Sequence, residues 1–475
     1  IMGVAVAVGA GIFSVGAQAA AFHAGPAVII SFLIAGIVCG AAVMCYAEFA
    51  SMIPVAGSAY TFTYTTVGEI MAWIIGWDLI LEMLMAGSVI SKYWGVYLND
   101  FMRLMGWNAN TNLTFGSFHI DIAPIIIVAF FTTLLVFGTK IGARVDGAMT
   151  VLKIAIVFFV VIVGFFYVKA SNFTPFIPPS QPASTVEGSS AVTGVMTQPL
   201  WQFATGMTPS VYGVPGILSG AALVFFAFIG FDVVATASEE TKNPHKNVPL
   251  GIGVGMLLII VMYMLVAVVT TGMVSYADLA KQDSPSLATA FELVGADWAA
   301  KIISFGIVLG LATVVMVLLL GLTRIVFAMS RDGLLPRGLS KTGKHGTPAA
   351  LQIVVGAVVA LVAAFFDIGV LSDMVNIGTL SAFTLVAISI PIMRKKRPDL
   401  PRAFKMPGSP WIPILIAVAN FWLMLNLSVL TWIRFVVWLV VGFAIYFGYG
   451  YWHARLGKGD LTETLSAETD KAVNG

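Results

Sequence analysis

Charge is what this chain has least of: Asp, Glu, Lys and Arg make up 10% of its 475 residues, and the formal net charge is only +2. A water-soluble domain carries about 25% charged residues, so that class is excluded. The few basic residues fall into short loops and form no face able to track phosphates, which excludes nucleic acid as a partner. Cysteine is nearly absent as well. Cys39 and Cys45 stand six apart within one apolar segment, a spacing that points them away from each other on a helix, so neither a disulfide nor a metal site is read. Only five histidines occur, scattered in or near loops, without the His/Asp/Glu constellation that an enzyme would need; no cofactor is expected. Rings of charge and an aligned carbonyl filter, which a channel would want, are also missing.

What is present is apolar. Hydrophobic residues make 59% of the chain, and the mean hydropathy is +0.95. About 20 apolar residues cross roughly 30 Å of hydrocarbon. Runs of that kind, bounded by charge, Gly and Pro, predict an all-α integral membrane protein with spans near 1–20, 27–53, 69–99, 122–138, 147–168, 216–237, 250–274, 299–330, 349–366, 374–393, 411–430 and 433–453. The lipid bilayer is then a partner along most of the chain. The first run is already apolar at Ile1, so the natural start is expected upstream. Basic residues retard translocation of the loops that carry them. With the chain entering from inside, seventeen of the 25 fall in cytoplasmic loops and the tail, five (Arg103, Lys169, Lys281, Lys301, Arg434) in external loops and three (Lys92, Lys153, Arg324) within spans. Both termini are thus expected in the cytoplasm. The cluster Arg394–Arg397 ends a helix on the inner face, or else forms a lipid-binding patch. The Pro-, Ser- and Thr-rich segment 169–215 is read as an external linker or partial lid.

Two spans carry glycine in mid-membrane. The first reads Val6-Ala7-Val8-Gly9-Ala10-Gly11-Ile12-Phe13, and the sixth reads Phe225-Phe226-Ala227-Phe228-Ile229-Gly230-Phe231-Asp232. Either alone is as well explained by close helix packing. Their pairing, five spans apart, suggests instead two inverted units of five spans with a site at the midplane. An unwound turn bares N–H and C=O groups that hydrocarbon cannot satisfy. A zwitterion can. The N–H groups of Gly9, Ala10 and Gly11, at a half-helix N-terminus, would receive an α-carboxylate, and the carbonyls of Ala7, Phe226, Ala227 and Ile229 would accept an α-ammonium.

With these residues the sequence resembles the amino acid–polyamine–organocation superfamily, closest to its bacterial branch related to cationic amino acid transporters. The motifs are Val8–Phe13, His23-Ala24-Gly25-Pro26, Tyr46-Ala47-Glu48-Phe49-Ala50, Pro54-Val55-Ala56-Gly57-Ser58-Ala59-Tyr60, Gly76–Glu82, Phe225–Asp232, Glu239–Pro244, Ser330–Pro336, Asn376–Leu380 and Arg397–Phe404, which together cover nearly the whole chain. The resemblance implies a LeuT-type fold of 12 transmembrane helices and alternating access. Residues 1–168 would form the first inverted repeat, 169–215 an extracellular loop, 216–393 the second repeat, 394–453 two further helices and 454–475 a cytoplasmic tail. It implies a secondary active transporter taking up neutral or cationic L-amino acids, with exchange on the same fold as the alternative. A small single-span membrane subunit is a further candidate partner. Ala10 departs from the threonine usual in relatives, and the loop before the sixth span is longer than expected.

Lys153 is the sharpest ionisable residue, because a lysine in mid-span costs several kcal/mol unless neutral or paired. Snorkelling toward an interface is the plain alternative. In the resembling family some members place a lysine there in lieu of sodium, near carbonyls of the first span and a hydroxyl of the eighth, here Thr313; the proton becomes the implied coupling ion. Glu82 is a secondary substrate-site candidate, equally well an inter-helix hydrogen-bonding group. Glu48, Glu69 and Asp232 read as capping or gating groups, and His23 as a capping residue in a short loop.

Overall fold

The computed structural model describes residues 8–9, 11–52, 60, 63–64, 68–107, 111–115, 118–138, 142–183, 194–230, 244–282, 285–343, 347–396, 398, 402 and 404–454. Of the residues singled out above, Val6, Ala7, Ala10, Phe231, Asp232 and Arg397 lie outside this set, as do the motif residues 54–59, 239–243, 399–401 and 403.

The chain folds into helices. The first, α1, is π-helical over Gly11–Val15, α-helical over Gly16–Ala19 and π-helical again over Ala20–Ala24. Then come α2 (Val28–Met52), α3 (Glu69–Leu104), α4 (Ile122–Phe137), α5 (Gly142–Phe165), α6 (Gly213–Val224), α7 (Pro244–Met273) and α8 (Asp297–Arg331). The series ends with α9 (Ala349–Phe365), α10 (Ile368–Lys396), α11 (Trp411–Leu425) and α12 (Val429–Ile445). Two small antiparallel pairs, Asn112–Phe115 with Phe118–Asp121 and Gln181–Pro182 with Ser210–Val211, lie between helices. Six helical stretches among the described residues are long and apolar enough to cross a membrane, the first running from Gly11 through α2 to Phe49. Five shorter apolar helices accompany them: α4, α9, α11, residues 149–165 of α5, and α6 with its terminal turn.

Local chemistry sets several boundaries. Asp297 in the first turn of α8 and Arg331 in its last complement the helix dipole. Ser428 caps α12 by accepting the Thr431 N–H at 3.2 Å. At 36 residues α3 is about 54 Å long by a rise of 1.5 Å per residue, more than the roughly 30 Å of hydrocarbon requires.

The packing separates a core from a lipid-facing shell. In the most apolar stretch of α3, 78% of residues are buried, and α8 and α10 are its most extensive partners. The last helical stretch, Val429–His453, is only 28% buried. Leu250, Leu257 and Leu258 on α7 and Val436, Val437 and Val440 on α12 are exposed. Exposed apolar surface of this extent is stable against hydrocarbon and not against water.

The segment read as a linker is more than that. Tyr212, at φ 60°, donates its N–H to the His23 carbonyl at 2.8 Å and its hydroxyl to the Ala21 carbonyl at 2.7 Å. Two hydrogen bonds to α1 thus hold a tyrosine in the left-handed region, which is otherwise costly for it. His23 itself lies in the last π-helical turn of α1, not in a loop, and its Nδ1 is 3.0 Å from Ser219 Oγ on α6.

Candidate functional site

The two glycine-bearing interruptions meet. Beyond α6 the chain tightens to a 3-10 turn over Phe225–Phe228, becomes extended at Ile229 and turns at Gly230 with φ 90°. This turn packs against the π-helical start of α1. A Cβ added to Gly11 would lie 2.2 Å from Ala227 Cα and 2.9 Å from Ala227 N, so only glycine permits this backbone approach. Gly11 therefore does what the packing explanation asks of it, and at the same point it brings two irregular backbones together. Val8, Ile12, Phe13, Phe225 and Phe226 are buried around the crossing.

Irregular backbone at this depth must find partners, and two tyrosines supply them. Tyr97 on α3 donates to the Phe13 carbonyl at 2.7 Å and receives Ser14 Oγ at 3.2 Å. Tyr263 on α7 donates to the Ala227 carbonyl at 2.8 Å. The Phe226 carbonyl accepts the Ile229 N–H at 3.3 Å. Sequence reasoning missed both tyrosines; the only signal was a phenol inside an apolar run. Close by, Ile12, Phe32, Tyr263 and Thr270 help line a void of about 10 Å3, room for one water.

Lys153 is 1% exposed, which rules out snorkelling in this conformation. It lies on α5 against α8 at Gly310, where an added Cβ would stand 2.9 Å from Lys153 Cγ and 3.6 Å from its Cδ and Cε. One turn earlier, Gly306 leaves the same kind of space for Ile156, whose Cδ1 would be 2.0 Å from a Cβ there. Glycines four apart thus form a groove on α8 that receives the lysine stem. Thr313 Oγ1 donates to the Gly310 carbonyl one turn back on the same helix, at 3.0 Å.

Glu82 is fully buried on α3, about four helical turns from Tyr97 and one from Asp78. Asp78 accepts from Ser381 Oγ of α10 at 2.6 Å. Glu48 and Glu69 do pair with other elements. Arg394 grips Glu48 through Nε at 2.9 Å and Nη2 at 2.7 Å, the Met406 N–H reaches Glu48 Oε2 at 2.7 Å, and Tyr446 donates to Glu69 at 2.8 Å. Arg394 is therefore a structural partner of α2.

A family model described as amino acid permease matches residues 1–449. The branched-chain amino acid permease BcaP of Bacillus subtilis (strain 168) is 42% identical over 466 residues, covering 96% of this chain and 93% of that protein. The methylthioribose transporter of the same organism is 38% identical over 464 residues, with 96% and 93% covered. A vacuolar cationic amino acid transporter 2 of Arabidopsis thaliana is 36% identical over 405 residues, 84% of this chain and 59% of that protein.

Proposed function

This chain belongs to the amino acid permease family of the APC superfamily, whose members are transporters and not enzymes, and we propose that it takes up neutral L-amino acids across the cytoplasmic membrane, coupled to protons, by alternating access on a LeuT-type fold of 12 spans. The observation that carries this reading is the crossing of two interrupted helices at Gly11 and Ala227. The N–H groups of Gly9, Ala10 and Gly11 receive the α-carboxylate, and carbonyls of Ala7, Phe226, Ala227 and Ile229 receive the α-ammonium. A carbonyl oxygen has two lone pairs, so Ala227 can bind the ammonium while keeping Tyr263. Val8, Ile12 and Phe225 offer the substrate an apolar environment, which suits aliphatic side chains, as does the branched-chain substrate in the name of the first relative. Glu82, fully buried on α3, remains the secondary candidate at the substrate site.

Lys153 serves as the titrating group. Protonated, it ties α5 to α8 and α1 as a bound cation would; deprotonated, it releases that tie and favours reorientation. The Arg394–Arg397 cluster faces the cytoplasm together with both termini, so the end where α10 begins is external. A cysteine placed at Lys396 should react with a membrane-impermeant maleimide only in inverted vesicles; reaction in intact cells would reverse the orientation.

Substrate recognition is tested by thermal shift with L-leucine, its decarboxylated analogue 3-methylbutylamine, and methylthioribose. L-Leucine should raise the unfolding temperature and the amine should not, because the amine leaves the half-helix N-terminus without an anion. Gly11→Val should abolish the leucine shift. Equal shifts for leucine and the amine would remove the role given to Gly9–Gly11, and a shift with methylthioribose alone would replace the amino-acid reading.

A further inference from the structure

A groove of about 600 Å3 lies where α5 and α7 end and the connection to α8 begins, within the usual range for small-molecule sites. None of its lining residues belongs to the Gly11–Ala227 crossing or to the groove on α8 that receives Lys153. One side of it is apolar and opens onto the lipid-facing shell. Phe166 and Leu293 form that side, and both are exposed, Phe166 at 82%. Phe165 beside it and Trp298 in the first turn of α8 are exposed as well, so aromatic rings collect at this level of the bundle. Such rings gather where hydrocarbon gives way to headgroups. The other side of the groove is polar and cationic, with Lys169, Lys281, Asn172 and Gln282.

Backbone holds the cationic side in place. Two donors converge on the Gly272 carbonyl at the end of α7, the Lys169 N–H at 2.8 Å and Asn172 Nδ2 at 2.8 Å. A Cβ on Gly272 would stand 2.8 Å from Val168 Cγ1 and 2.9 Å from Phe173 Cζ, so its absence lets the short turn Ala170–Phe173 seat on α7. Lys169 is thereby fixed at the lip. Across the groove Ser275 caps the helix Tyr276–Ala280 and donates to Asp278 Oδ2 at 2.7 Å, while Lys281 pairs with Asp278 Oδ1 at 2.8 Å. Lys169 is exposed and has no ion pair among the described residues. Two lysines and one aspartate in the lining leave a net charge of +1, set beside exposed apolar side chains.

We propose that this groove binds the headgroup of an anionic phospholipid. The phosphodiester sits between Lys169 and Lys281, hydroxyls of the headgroup meet Asn172 and Gln282, and the acyl chains leave over Phe166 and Leu293 into the bilayer. A soluble anion would use the lysines and gain nothing from the apolar side, whereas a phospholipid has a group for each. The inference needs only that the chain is embedded in a membrane and stands apart from the amino-acid reading. Lys169 follows α5 and Lys281 lies in the connection from α7 to α8, so a bound headgroup bridges the ends of two helices, one of which carries Lys153.

The test titrates the full chain, stripped of lipid in detergent, with phosphatidylglycerol, with phosphatidylcholine of the same acyl chains, and with sodium phosphate. Retained lipid is counted by native mass spectrometry, and the unfolding temperature is followed in parallel. Phosphatidylglycerol should be retained at one equivalent beyond any phosphatidylcholine and should raise the unfolding temperature. Lys169→Gln and Lys281→Gln should each weaken that binding about fivefold, the size expected of one lysine facing an anionic lipid, and together about 25-fold. Lys169→Arg should keep it. Lys341→Gln, the same loss of charge at an exposed position between α8 and α9, should leave it unchanged. Equal retention of phosphatidylcholine would overturn the proposal, as would an unaltered affinity for phosphatidylglycerol in the double variant. Sodium phosphate raising the unfolding temperature as far as phosphatidylglycerol would make the groove a site for free phosphate and remove the lipid from it.

Discussion

Where α2, α8, α10 and α12 finish, charges and hydroxyls meet one another; where α10 and α12 begin, they face a cavity. At the first end Glu48 is clasped by Arg394 and the Met406 N–H, Tyr60 donates to Asp332 at 2.9 Å, and Tyr446 donates to Glu69. At the second, Asp373 and Arg434 share about 390 Å3 of open volume. A transporter must close one end while the other is open, and polar contacts are the means by which a packed bundle can do so reversibly. Among the described residues, the end carrying Arg394 is the one where these groups are paired. The lesson is that the same residue types do opposite work according to whether a partner helix reaches them.

Breaking the paired end should have the largest effect. Glu48→Ala leaves the Arg394 guanidinium and the Met406 N–H without their acceptor. Removing one member of a buried charge pair costs about 3–5 kcal/mol; with Arg394 a quarter exposed, about 3 kcal/mol is expected. Thermal unfolding of the purified protein should fall clearly, and Arg394→Ala added to Glu48→Ala should cost little more. Additive losses in the double variant would deny that the two groups act as one latch. The smallest effect belongs to the opposite end of the molecule. Arg103 bridges Glu292 at 2.9 Å at the end of α3, but its side chain is 57% exposed. Such pairs contribute about 0.2–1 kcal/mol and are screened by salt. Arg103→Gln should therefore change stability marginally, and the difference should vanish in about 1 M salt. A loss matching that of Glu48→Ala would erase the distinction between the two ends.

Much of this architecture was legible along the chain. Helices lie where apolar runs were bounded by charge, Gly or Pro, because hydrocarbon requires every backbone group to be satisfied within the segment. The breaks near Gly11 and Gly230 were readable for the same reason in reverse. The nature of each break was not. Whether α1 continues through His23 as π-helix depends on Tyr212 and Ser219, which lie nearly 200 residues away in sequence and take up its carbonyls and ring nitrogen. Tyr97 and Tyr263 look like any aromatic core residue until the helices turn their hydroxyls toward Phe13 and Ala227. Gly310 carried no signal of its own, since the space it leaves has meaning only once Lys153 of α5 fills it. Arg434 read as an external-loop arginine, and Asp373 was not singled out. Their relation is a matter of which ends of α10 and α12 coincide.

The most direct test of the central claim, amino-acid uptake coupled to a proton on Lys153, is accumulation of labelled L-leucine in sodium-free proteoliposomes under an imposed pH gradient. Lys153→Ala removes both charge and titration, and Lys153→Arg keeps the charge but cannot release its proton. The native protein should accumulate leucine, and both variants should bind it without accumulating it. Gradient-driven accumulation that survives both substitutions, or that appears only when sodium is added, would contradict the account.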